Sequence, residues 1–123
     1  MHARDLQIIQ AYSYQDREDL LPAAVDAIVH CGGWVLDRRD LSEMTLGLQM
    51  EIELRGVFEL YAALLVVGIQ MTRSGHRALS DLCTCGRFMH TSELSQILQI
   101  RLEITFLHEI TPHWQLMAQP ARA

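Results

Sequence analysis

The stretch Leu46-Gly47-Leu48-Gln49-Met50-Glu51-Ile52-Glu53-Leu54 alternates large apolar residues with Gly, Gln and Glu, and Leu98-Gln99-Ile100-Arg101-Leu102-Glu103-Ile104-Thr105-Phe106 repeats the pattern. A period of two sends successive side chains to opposite faces of a strand. Both segments therefore predict strands with one buried and one wet face, as in a sheet covered by helices on one side only.

The flanking segments supply those helices. Leu6 to Tyr14 is short and rich in β-branched and aromatic residues, which predicts a first strand. The acidic run Gln15 to Asp19 suits the start of a helix, where the positive end of the macrodipole favours carboxylates. Leu20, Ala23, Ala24, Ala27 and Ile28 then recur at three- and four-residue intervals, Pro22 falls in the first turn, and Gly32-Gly33 ends the element. Trp34 to Asp40 reads as a second strand, with a polar turn near Ser42-Glu43 leading into the alternating segment. Beyond it, Val57, Leu60, Tyr61, Leu64, Leu65, Val67, Gly68 and Met71 follow a helical repeat that ends near Ser74-Gly75. Residues 76–96 are mixed, with a short helical piece at Arg77 to Leu82, a stop at Gly86 and a capping-box-like Thr91-Ser92-Glu93-Leu94.

The predicted order is βαββαβ. It specifies the α+β class and a ferredoxin-like sandwich: a four-stranded antiparallel sheet with two helices on one face. A chain of 123 residues predicts one domain, over 1–110, with a peripheral tail over 111–123.

Composition narrows the function. Ten Arg and no Lys stand against 15 Asp and Glu, a net charge of −5, which excludes a basic stripe of the kind that tracks nucleic-acid phosphates. The polar faces of the two clear strands carry no aromatic pair on which bases could stack. The most apolar run, Leu60 to Ile69, is about half the length a membrane span needs. Three cysteines in a Cys-poor chain with no N-terminal apolar signal region predict a reducing, cytoplasmic setting.

His76, Cys83, Cys85 and His90 offer zinc-type donors, but the Cys-x-Cys spacing departs from the Cys-x2-Cys of structural knuckles, so inert thiols are expected and no metal. His30-Cys31 is read as a helix C-terminus rather than a base beside its nucleophile, because adjacent helical residues point apart. Arg38 and Arg39 go to opposite faces of the second strand, where pairing with Asp37, Asp40, Glu51 or Glu53 is expected ahead of a carboxylate clamp. Apolar residues surround nearly the whole second helix, more than one sheet face can cover, and this predicts a partner, most simply a second copy. No residues converge on a reaction, so neither enzyme activity nor a cofactor is expected.

Cys31-Gly32-Gly33, Val35-Leu36-Asp37 and the strand Leu46 to Leu54 together resemble the first half of an ACT-type regulatory domain, similar in layout to the glycine-cleavage transcriptional repressor family. The resemblance implies a non-catalytic regulatory module that binds an amino acid or similar small metabolite at a homodimer interface. It implies Ser13, Gln15, Asp16, Gly32, Gly33, Asp37 and Arg38 as ligand-binding residues. The loop from Ser13 to Asp19 lacks the family's glycine and holds three acids. The alternative is a protein-interaction or oligomerisation module with no small-molecule ligand, presenting its second helix or a sheet edge to a partner protein.

Overall fold

The computed structural model describes residues 6–87 and 91–107. In chain order these form β1 (Gln7–Ser13), α1 (Arg17–His30), β2 (Trp34–Asp40), β3 (Thr45–Glu53), a 3-10 turn (Leu54–Gly56), α2 (Val57–Val67), β4 (Gln70–Met71), α3 (Arg73–Arg87), the short α4 (Thr91–Leu94) and β5 (Ile97–Phe106). The expected tail at 111–123 and the domain limit at 110 lie outside the described residues.

The α+β class holds, and the sheet is corrected. It has five strands in the order β2-β3-β5-β1-β4. β5 is interior, parallel to β1 from Gln7↔Ile100 to Ser13↔Phe106 and antiparallel to β3 from Thr45↔Thr105 to Glu53↔Ile97. The sheet is therefore mixed, where a four-stranded antiparallel one was expected, and three long helices replace the expected two. Alternation reports which face of a strand is buried and says nothing about its neighbours, so the interior place of β5 left no mark in its residue pattern.

The second half of the chain accounts for the other differences. α2 stops at Gly68, whose φ of +105° is left-handed, and Ile69 N–H closes back on the Leu64 carbonyl at 3.0 Å. The chain then turns, and Gln70–Met71 pairs with Tyr12 and Ala11 at the sheet edge. Two residues are too few to show a period.

α3 follows at once, capped by Thr72. Its Oγ1 accepts the Gly75 N–H at 3.1 Å and donates to the Gln10 carbonyl at 3.0 Å, so one hydroxyl caps the helix and ties it to β1. Leu79 and Leu82 face the core, while Arg73, Ser74, His76 and Arg77 are exposed. That polar outer face explains why 76–96 reads as mixed.

One core forms between the sheet and the helices. The inward rows are Ile9 and Ala11 of β1, Leu46, Leu48, Met50 and Ile52 of β3, and Leu98, Ile100, Leu102, Ile104 and Phe106 of β5. Leu20, Leu21, Ala24 and Ile28 of α1, Val57, Leu60 and Leu64 of α2, and Leu79 and Leu82 of α3 close over them. Arg17 pins the start of α1: it pairs with Asp40 at 3.1 Å, donates to the Glu43 carbonyl at 3.0 Å and lies 5.0 Å over the Phe106 ring. On the other face, Glu51 accepts from Trp34 Nε1 and Gln99 Nε2, both at 3.1 Å, and Arg101 pairs with Glu103 at 3.2 Å. No helix among the described residues is long and apolar enough to cross a membrane.

Gly75 sets how closely α3 can approach β1, because a Cβ there would lie 2.2 Å from the Gln10 carbonyl oxygen. Helix propensity alone makes Gly75→Ala stabilising by about 1 kcal/mol. Backbone overlap costs about 1–3 kcal/mol or more and should win. The variant is expected to melt about 5–10 °C lower, as read by circular dichroism.

Candidate functional site

A groove of about 620 Å³ runs between α2 and α3. Its described lining is Phe58 and Tyr61, three residues apart on α2, and Ser80, Cys83 and Thr84, on one face of α3. The two helices meet through Tyr61 and His76. The Tyr61 hydroxyl is hydrogen-bonded to His76 Nδ1, the rings stand edge to face with centroids 5.7 Å apart, and His76 Nε2 lies 3.4 Å from Ser80 Oγ. Two hydroxyls thus engage the two nitrogens of one imidazole, and both line the groove.

The chemistry available there is recognition by hydroxyl groups. A serine nucleophile needs a base held in place by a third group, as a carboxylate does in hydrolase triads. Here the third group is a phenol, and the serine link is long. Burial pushes the Cys83 thiol up, away from the thiolate that would react. Burial, and then the proximity of Cys83, raises Tyr61 as well.

The residues implied by the ACT-type likeness occupy other places. Ser13 is buried and fully engaged, donating to the Gly68 carbonyl at 2.8 Å and accepting the Gln15 N–H at 3.1 Å. The Gln15 side chain covers Gly68, whose added Cβ would lie 2.2 Å from the Gln15 amide nitrogen. Asp16 is the N-cap residue of α1, and its carbonyl receives the Leu20 N–H at 2.9 Å. Gly32, at φ +87°, turns the chain out of α1, and Gly33 is packed where a Cβ would lie 2.9 Å from the Glu51 carbonyl oxygen. Asp37 is exposed and pairs with Arg39 at 3.2 Å, while Arg38 is exposed opposite Leu48.

Within one chain these seven do not converge. Ser13 is level with Phe106, and Trp34, just after the glycines, is level with Glu51 and hence Gln99. Seven residues of strand separate those rows, about 23 Å, and β5 and β3 lie between β1 and β2.

Of the four zinc-type residues, His76 and Cys83 face the groove region, whereas the Cys85 side chain and His90 fall outside the described residues. No group of three or more His, Cys, Asp or Glu among the described residues is arranged to hold a metal. His30 Nδ1 is bonded to the Asp26 carbonyl at 2.9 Å, the structural reading expected for a helix end. The sequence reading missed the Tyr61–His76–Ser80 chain. The i,i+4 spacing of His76 and Ser80 becomes a usable signal once the helical piece predicted at Arg77 to Leu82 is extended back through His76, as α3 is.

Comparisons with protein-family models, with curated proteins and with solved structures found no match.

Two measurements check the site. Tyr61→Phe and His76→Ala should each destabilise the fold, with a double-mutant coupling of about 1 kcal/mol in urea unfolding. Since the Cys83 pKa is raised, its thiolate fraction at pH 8 is below that of a free cysteine. Its alkylation should therefore be slower than that of a cysteine peptide, and should still be rising at pH values where the peptide has levelled off.

Proposed function

We propose that this chain is a non-catalytic, self-associating regulatory module whose helical layer packs against a second copy. The observation that carries the reading is the outward face of α2. Phe58, Leu65 and Val66 are 71%, 49% and 85% exposed, Ala62 lies between them, and Glu59 is the one charged residue of the helix. Surface helices ordinarily turn charged and polar side chains outward, and an apolar stripe of this kind is what interfaces are made from.

Charge supports a second copy as the occupant. α2 is the middle helix, packed on both α1 and α3. The exposed charges of α1 include Glu18, Asp19 and Asp26, while α3 exposes Arg73 and Arg77 beside Asp81. A two-fold axis parallel to α2 lays the apolar stripe on itself and sets each α1 over the partner's α3, acid against base. Three helices about 10 Å wide and about 20 Å long offer a footprint of roughly 600 Å², close to what each partner of a standard interface contributes. An amino acid or similar small metabolite, which the ACT-type likeness alone implies, would sit at the interface between the two copies and outside the α2–α3 groove.

At tens of micromolar the protein should sediment as a dimer, and Val66→Glu should give a folded monomer with an unchanged circular dichroism spectrum. Asp26→Arg should weaken the dimer, and adding Arg77→Asp should restore much of it, with both effects fading in high salt. A wild-type monomer overturns the proposal. A dimer indifferent to Val66→Glu moves the interface elsewhere.

A further inference from the structure

We infer that the α2–α3 groove is a binding site for an uncharged, ring-bearing molecule with a hydrogen-bond acceptor such as a ketone, ester or amide carbonyl. This goes beyond the self-association reading and changes the class of ligand.

Size and walls come first. Small-molecule sites commonly span about 300–1,000 Å³, with apolar walls and a few polar groups. At about 620 Å³ the groove falls in that range. Phe58 and Tyr61 form an aromatic wall on one side, against which a ring can stack offset or edge-on. Cys83 and Thr84 line the α3 side.

Charge comes next. None of the five described lining residues is ionised at neutral pH: they are a phenylalanine, a phenol, two alcohols and a thiol that burial holds protonated. A free amino acid carries both an ammonium and a carboxylate. Desolvating either against these five residues, without a charged partner, is unfavourable, so this part of the wall selects against zwitterions.

The polar requirement follows from counting protons. With His76 neutral, Tyr61, His76 and Ser80 hold one O–H, one N–H and one O–H between them. Two links join the three groups. Three donors serve two links, so one O–H is always left over. If Tyr61 donates to Nδ1, then Nε2–H donates to Ser80 and the Ser80 O–H is free. In the other tautomer the chain runs backwards and the Tyr61 O–H is free. Both ends line the groove, so it presents a hydrogen-bond donor in either state. A ligand without an acceptor would leave that donor unpaired against an apolar neighbour.

Cys83 provides the readout, because a molecule in the groove shields its thiol. Iodoacetamide modification of Cys83, resolved by peptide mass spectrometry, should slow at least fivefold in saturating acetophenone, which has a ring and a carbonyl. Ethylbenzene, the same shape without the acceptor, should need about tenfold higher concentration for equal protection. L-Phenylalanine at millimolar concentration should give none. Tyr61→Phe, His76→Leu and Ser80→Ala together remove the three donors of the hydroxyl–imidazole chain and should sharply reduce the preference for acetophenone, and Thr84→Trp should abolish protection by filling the groove.

Failure of acetophenone to protect Cys83, or equal protection by L-phenylalanine, overturns the inference, as does a carbonyl preference undiminished in the triple variant. Repeating the experiment on Val66→Glu separates it from self-association. Protection retained in a monomer supports a site complete in one chain, and protection lost with the dimer overturns it.

Discussion

The packing of this molecule depends on β5 bonding along both edges at once. Its ten residues lie between seven of β1 and nine of β3, parallel to one and antiparallel to the other. With the last described strand in the interior, the sheet is complete only after the chain has passed through all three long helices. The five inward residues of β5, from Leu98 to Phe106, then form the central row of the core. Losing this strand would leave β1 and β3 with unpaired backbone groups in the middle of the sheet, which is far costlier than fraying an edge.

The helical layer follows from that arrangement. α3 packs over β1, held by the glycine contact with Gln10 and by the Thr72 cap. α2 becomes the middle helix. Its inner residues Val57, Leu60 and Leu64 join the core, while its outer residues have no part of the chain above them among the described residues. The groove lies between α2 and α3, running from the Tyr61–His76 contact toward Phe58 and Thr84. The aromatic wall, the hydroxyl chain and the apolar stripe are thus consequences of one packing decision, the addition of a third helix.

Much of this was legible in the residues. Alternation located β3 and β5, and helical spacing located α1 and the start of α2. The apolar surplus of the second helix, read as calling for a partner, includes Leu65 and Val66, which the structure leaves exposed. α3 was legible only over Arg77 to Leu82, because its buried face rests on Gly75, Leu79 and Leu82 among many polar residues. β4 was hidden because two residues carry no period. The candidate site was the least legible part, since it joins residues of two helices, one of which was anticipated only over Arg77 to Leu82.

Local side-chain chemistry by itself determined which face of each strand and helix is buried and where glycines such as Gly32 stop a helix. Those properties depend on neighbours within a few positions, which a linear pattern records. Only the tertiary structure decided that β5 enters between β1 and β3, that Ser13 and Gly33 lie at opposite ends of the sheet, and that Tyr61 meets His76. Such pairings depend on which edges and surfaces are free when the elements assemble. An edge offers the same N–H and C=O groups whatever its side chains, so the order of strands is set by how the whole layer packs.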